Sequence, residues 1–236
     1  MQDEMIPLSV NDTFRFSCSA KVPCFNECCR DLNQFLTPYD ILRLKNRLGI
    51  SSGVFLERCT TQHTGPESGF PVVTLKTSQS SELRCPFVTP RGCSVYEDRP
   101  SSCRTYPLAR VASRSRETGS ITEQYVLIKE AHCLGFQQDK VWTAQEWIKD
   151  QGAEIHNEMN DMLMEIISLK NRFRPGPLDM KSRHFFHTAC YDLDAFRTQT
   201  DNLNIDADTL ALIKSSDVEL LKFGIQWVRQ MLFGKQ

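Results

Sequence analysis

Cys18, Cys24, Cys28 and Cys29 follow one another as C-x5-C-x3-C-C, and Cys85, Cys93, Cys103 and Cys133 form a second group further on. Thiolates are soft, charged ligands that select zinc, cuprous copper and iron–sulfur clusters over magnesium or calcium. Four of them close a tetrahedral zinc site, and four also hold a cubane iron–sulfur cluster. Eight cysteines therefore suit two four-thiolate sites or one polynuclear site, with Zn2+ or an iron–sulfur cluster as the implied cofactor. The side chains of Cys28 and Cys29 diverge unless the backbone turns sharply, and diverging side chains would serve different metal ions.

Nine of the ten cysteines lie between Cys18 and Cys133. A free cysteine is often a small, well-buried hydrophobe, but that role accounts for one or two thiols rather than nine. Cys190, among Phe186, Ala189 and Leu193, is expected in a packed core. Cys59 closes a short predicted helix and is at most a spare ligand. Of the five histidines, His132 beside Cys133 is the candidate to replace a thiolate. His184 and His187 lie one helical turn apart, and an exposed or capped pair is expected there rather than a metal site. Arg99 and Arg104 flank Cys103, where guanidinium groups would offset thiolate charge and donate to sulfur, or pair with Glu97 or Asp98.

These residues also carry a resemblance. Phe16 with Cys18, then Cys24, the Cys28–Cys29 pair and Cys85 lead to Cys93–Ser94–Val95–Tyr96, Arg99–Pro100 and Cys103–Arg104–Thr105–Tyr106–Pro107. The segment from Phe16 to Pro107 resembles the YkgJ or CxxCxxCC family, described as a zinc- or iron-chelating domain, and Cys133 with Gly135 resembles that family's final cysteine. The opening spacing is longer than the C-x2-C-x2-C-C of the family's name. The resemblance extends to flagellin lysine N-methylase, which implies S-adenosylmethionine and an iron–sulfur cluster. No glycine-rich strand–turn–helix motif for that cofactor stands in the sequence, so enzymatic activity rests on analogy alone. A module whose surface is only shaped by the metal is the other alternative.

The elements that must position the cysteines are legible in part. Pro23 and Asn26 mark the first group as loop, and Pro86, Pro90, Gly92 and Pro100 mark the second. Thr37 and Pro38 open a predicted helix with Ile41, Leu42, Leu44 and Leu48 on its apolar face, ended by Gly49. A second helix is predicted from Ser52 to about Cys59. Pro71–Lys76 reads as a strand, paired with Glu82–Phe87 across the polar turn Ser78–Ser81. Tyr106–Ala112 and Ile121–Lys129 read as a hairpin around Arg116–Gly119 that returns Cys133 towards Cys103. Thr143 with Glu146 forms a capping box for a helix carrying Trp147 and Ile148 and stopping near Gly152. Further helices carry Ile155, Met159, Met162, Leu163 and Ile166, then Phe185, Ala189, Leu193 and Phe196. A last helix runs from Ser216 and Glu219 through Leu221, Ile225, Val228 and Leu232. The expected fold is α+β: a loop-rich cysteine-cluster domain with short antiparallel strands over 14–136, then a helical region over 137–236 packing on it.

With 28 basic and 29 acidic residues, the chain has no single-sign field to suggest nucleic acid or an anionic membrane as partner. Arg110, Arg114 and Arg116 read as a solvated hairpin tip. Residues 1–13 carry Asp3, Glu4 and Asp12 and no apolar run of the signal-peptide kind, and no segment is long and apolar enough for a membrane span. A cytoplasmic location is expected, where thiols stay reduced unless they bind metal or do redox chemistry. The expected partner is a metal ion; the composition names no protein partner or substrate.

Overall fold

The computed structural model describes residues 3–31, 33–66, 68–78, 82–115 and 117–234. Its strands are β1 (Glu4–Leu8), β2 (Thr13–Arg15), β3 (Phe35–Leu36), β4 (Thr60–Thr64), β5 (Pro71–Leu75), β6 (Val88–Thr89), β7 (Gly92–Cys93), β8 (Leu108–Arg114), β9 (Ile121–Lys129) and β10 (Val141–Thr143). Its helices are α1 (Pro38–Leu48), α2 (Ser52–Cys59), α3 (Ser101–Thr105), α4 (Ala144–Asp150), α5 (Glu154–Phe173), α6 (Met180–Phe186), α7 (Leu193–Gln199), α8 (Ala207–Ser215) and α9 (Asp217–Phe233). Small antiparallel sheets beside helices make this an α+β fold. The chain divides into two compact units, residues 1–34 with 76–157 and residues 35–75 with 158–236. Among the described residues no helix is long and apolar enough to cross a membrane.

In the first unit the expected hairpin is present as β8–β9, with Leu108 opposite Leu127 and Arg114 opposite Ile121. Period-two alternation along the strand turns Tyr125 and Leu127 to the same buried face. β1 extends this sheet on β9, with Pro7 opposite Val126; proline is tolerated there because β1 is an edge strand. β2 and β10 form a second ribbon that pairs Phe14 with Trp142. The core gathers Phe14, Phe16, Leu108, Tyr125, Leu127, Trp147 and Ile148. α4 begins with the expected Thr143–Glu146 capping box, and the Trp147 indole donates to the Thr105 carbonyl at 2.8 Å. Phe16 is the hub of the aromatic packing, with its ring 5.2 Å from Phe136, 5.4 Å from Trp147 and 5.9 Å from Tyr106.

In the second unit β5 lies between β3 and β4, not against Glu82–Phe87 as the sequence suggested. Residues 82–87 form a turn with one isolated bridge, Arg84 to Arg30. Pro86 brings no donor to a ladder, and the Cys85 amide is taken by the Cys29 carbonyl at 2.8 Å. Gln79, Ser80 and Ser81 of the expected turn and Arg116 of the hairpin tip lie outside the described residues. α1 has Thr37 as N-cap in a full capping box with Asp40, Pro38 in its first turn and Gly49 at its end with φ 65°. Ile41, Leu42 and Leu44 are buried, whereas Leu48 is exposed. Met159, Leu163 and Ile166 make the buried stripe of α5, as their spacing predicted. α9 passes a π-helical turn, His187–Tyr191, so closely that a Cβ on Gly224 would sit 2.2 Å from the Ala189 carbonyl oxygen. Glycine alone fits there. Lys45 is buried between Asp194 at 3.2 Å and Asp217 at 3.4 Å, and Ser52 binds Asp192 and Asp194, linking α1, α2, α7 and α9.

Candidate metal centre

All eight cysteines of the predicted set lie in the first unit, and Cys59 and Cys190 lie in the second. The loop that carries the first four is shaped by backbone bonds. Ser17 donates to the Gly135 carbonyl at 3.1 Å, which lays Cys18 along the turn that follows Cys133. Gly135 is needed for this approach, because a Cβ there would stand 2.5 Å from the Phe16 ring. Asn26 takes a left-handed φ of 72° and opens a 3-10 turn over Glu27–Cys29, a conformation asparagine tolerates better than most residues. This sharp turn keeps the neighbouring Cys28 and Cys29 side chains together, close enough to share a hydrogen bond. The Asn26 amide also donates to Thr89 at 2.9 Å, tying the turn to the β6–β7 hairpin, where Cys93 pairs with Val88.

The second group arrives from three more segments. Cys85 is held beside Cys29 by its own amide hydrogen bond. Cys133 ends a turn in which its amide donates to Glu130 at 3.0 Å, and the next amide, Leu134, donates to the Cys24 sulfur at 3.1 Å. Backbone donors aimed at sulfur are the usual support of a thiolate ligand. Cys103, on α3, is exposed and gives its thiol to the Gln34 side-chain oxygen at 3.2 Å.

The electrostatics show which thiols are neighbours. Burial, then Cys28, Cys24 and Cys133, push the Cys18 thiol up to about 11. Cys28 is pushed up most strongly by the hydrogen bond it shares with Cys29, then by burial and the Cys29 charge, with Glu130 adding to it. Burial raises Cys85 and Cys93, and both also feel Cys28; Arg99 acts on Cys93 in the opposite sense. Burial raises Cys133 as well, against the Tyr106 hydroxyl and the Gly135 amide, and Cys24 and Cys28 add to the rise. Cys28 is thus the member that Cys18, Cys29, Cys85, Cys93 and Cys133 have in common. Among the described residues no three His, Cys, Asp or Glu side chains close on one point as a ready-made metal site. The thiols are gathered but not converged.

The flanking residues fall into place around this group. The Arg99 guanidinium donates to the Tyr96 carbonyl and the Gln151 side chain, both at 2.6 Å, and stacks 3.9 Å over the Tyr96 ring. Arg104 donates to the carbonyls of Gln151 and Glu97, each at 2.6 Å. Both arginines therefore bind backbone oxygens beside α3, and Arg99 still reaches Cys93 electrostatically. His132 is exposed and turns to Glu130 at 3.8 Å. Cys190 is fully buried in the π-helical turn, where burial raises its thiol, and Cys59 closes α2 half-buried. His187 is lowered by burial despite Asp192 nearby.

Two residues that sequence reasoning did not place in the site stand inside it. The Tyr106 hydroxyl is buried and has no hydrogen-bond partner among the described residues, and burial together with Cys133 and Glu130 beside it pushes its pKa up. Glu130 also faces Cys28. Their signals were indirect: Tyr106 stands within the C-R-x-Y-P stretch, and Glu130 stands three residues before a cysteine. A buried donor left unsatisfied among thiols is what a site built for thiolates would contain, since a charged sulfur is the acceptor it lacks. The donor set thus fits zinc or iron.

The family model for CxxCxxCC, described as "Putative zinc- or iron-chelating domain", matches residues 17–134, half of the chain and the span that holds the whole eight-cysteine set. No curated protein and no solved structure matches the chain.

Proposed function

Since the chain belongs to the CxxCxxCC family of zinc- or iron-chelating domains, we propose that Cys18, Cys24, Cys28, Cys29, Cys85, Cys93, Cys103 and Cys133 hold Zn2+ as thiolates. In this role the metal stabilises the irregular loops of the first unit. The observation that carries the proposal is the gathering of thiols from separate stretches of chain around Cys28. Crowded, partly buried thiols resist ionisation because each thiolate repels the next. A dication reverses that penalty, so uptake releases protons and its free energy becomes folding free energy. Zinc suits the role because it supplies tetrahedral thiolate bonds without redox chemistry. Cys103 would exchange its Gln34 contact for the metal. The proposal, like the YkgJ-type resemblance, sets the protein in the reducing cytoplasm, where these thiols stay available.

The test is purification without oxygen, followed by metal analysis and a visible spectrum. A colourless protein carrying zinc, lost on Cys28→Ser, is the expected result. A brown protein with iron and sulfide would replace zinc by an iron–sulfur cluster on the same thiols. A protein that takes up neither metal on reconstitution would refute chelation by this set.

A further inference from the structure

We propose that the Tyr106 hydroxyl donates a hydrogen bond to the Cys133 thiolate and so sets the donor strength of that ligand. The inference rests on the chelation proposed above. Tyr106 is a positioning residue here, not a ligand.

The Tyr106 ring is packed edge-on against Phe16, with 77° between the ring planes, and Phe16 is itself wedged among Phe136, Trp147 and the Cα of Gly135. The ring cannot swing its hydroxyl out to water without disturbing that packing. The hydroxyl is buried with no hydrogen-bond partner among the described residues, an arrangement that carries the desolvation cost of the group without a bond in return. Tyr106 and Cys133 pack against the same core. The Cys133 sulfur and the Glu130 carboxylate are the two acceptors near the hydroxyl, close enough to act on it though neither is placed to accept a hydrogen bond from it. A neutral thiol is a poor acceptor, whereas hydrogen bonds to ionised acceptors are roughly twice as strong as neutral ones. Ionisation of Cys133 on a metal therefore turns the stranded donor into a satisfied one, and the gain goes to the metal-bound state alone. Glu130 is the rival acceptor, but its carboxylate is shared with His132 at 3.8 Å and also faces Cys28. The Gly135 amide approaches Cys133 as well, so the sulfur would be held by two donors, one from the backbone and one from Tyr106.

The experiment uses the full chain loaded with Co2+, whose thiolate-to-cobalt charge-transfer band reports on sulfur directly. A hydrogen bond to sulfur lowers the energy of its lone pairs, so Tyr106→Phe should move the band to lower energy while cobalt content is retained. Competition with a chelator should show about tenfold weaker binding, the lower end of what loss of a partner to a metal ligand costs. Tyr125→Phe, at another buried tyrosine of the same unit, should leave the band in place. If wild type takes up no cobalt, the chelation itself fails. If wild type loads normally and Tyr106→Phe has the same band and affinity, the Tyr106 inference fails and chelation stands. A shift produced by Glu130→Gln but not by Tyr106→Phe would assign control of the sulfur to the charge of the carboxylate and overturn the inference too. Should Tyr106→Phe not fold, a fluorinated tyrosine at 106, a stronger donor of the same shape, should raise the band energy; an unmoved band overturns the inference.

Discussion

Gly135→Ala puts the link between aromatic packing and thiol placement under direct strain. A Cβ on Gly135 would lie 2.5, 3.0 and 3.1 Å from three atoms of the Phe16 ring, where ordinary contact begins at 3.4 Å. The ring must therefore retreat by roughly 1 Å, judged from the shortest of those contacts. It has nowhere to go, being 2% exposed and flanked by Tyr106, Phe136 and Trp147. Overpacking of this kind costs about 1–3 kcal/mol, which lowers Tm by roughly 3–10 °C in a protein of this size. The backbone also carries the strain, because the Gly135 carbonyl accepts from Ser17, one residue before Cys18. Thermal unfolding of the zinc-loaded variant, with zinc retention measured on the same samples, should show both a lower Tm and faster loss of metal. Phe16→Leu trims the obstructing ring, so the double variant Phe16→Leu/Gly135→Ala should fall short of the sum of the single losses by more than about 0.5 kcal/mol. Additive losses, or a Gly135→Ala protein as stable as wild type, would refute the contact as the reason for glycine.

Three further outcomes are expected. Cys28→Ser should reduce bound zinc to less than half and remove the drop in Tm that a chelator causes in wild type; Cys190→Ser should leave zinc unchanged while costing about 1–3 kcal/mol, because it buries a hydroxyl where the thiol is fully buried. In the second unit, burial works against Asp194 and Asp217, yet the Ser52 amide holds Asp194 low, Asn46 and Arg197 hold Asp217 low, and Lys45 acts on both. Depressed carboxylates contribute stability above their unfolded values near about 3.9 and lose it as pH falls through the lower folded values, so acid titration by circular dichroism should show a loss below about pH 4 that Asp217→Asn makes shallower. Calorimetry on metal-loaded protein should give no saturable heat with S-adenosylmethionine; a saturable signal lost in Cys28→Ser would favour the methyltransferase alternative over a closed structural site.

What the sequence disclosed follows the range of the signals. Thr37, Pro38 and Gly49 act within one helix, and Thr143 with Glu146 within one turn, so α1 and α4 could be read from neighbouring residues. The β8–β9 hairpin was equally local. β1 was missed because Pro7 and the exposed Glu4–Leu8 face give no buried alternation, and its partner β9 is remote in sequence. β4 was missed because Thr60–Thr64 is polar and mostly exposed, and with it the pairing of β5, which went to Glu82–Phe87 in error. Cysteine is scarce enough, and its chemistry narrow enough, to mark a shared site across long separations. Tyrosine and glutamate are not, so Tyr106 and Glu130 pass as an ordinary core ring and a surface charge until the hairpin brings position 106 beside 133.

The same separation governs how the centre must assemble. A finger-type zinc site takes its ligands from one short stretch, so metal can bind before anything else is formed. Here Cys18 and Cys24 meet Cys133 through the Ser17–Gly135 and Leu134–Cys24 bonds, and Cys29 meets Cys85 through backbone bonds between two distant loops, the Cys85 amide to Cys29 and the Asp31 amide to Leu83. Those bonds exist once Phe16 has packed under Gly135 and the β8–β9 hairpin has returned the chain. Metal that takes the gathered thiols as a set therefore binds the folded first unit more tightly than its unfolded chain, and that difference in binding energy raises the stability of the unit. The aromatic cluster around Phe16 and the thiol cluster meet at Gly135, whose Cα lies against the Phe16 ring and whose amide faces Cys133, which is why a methyl group added there is expected to cost metal.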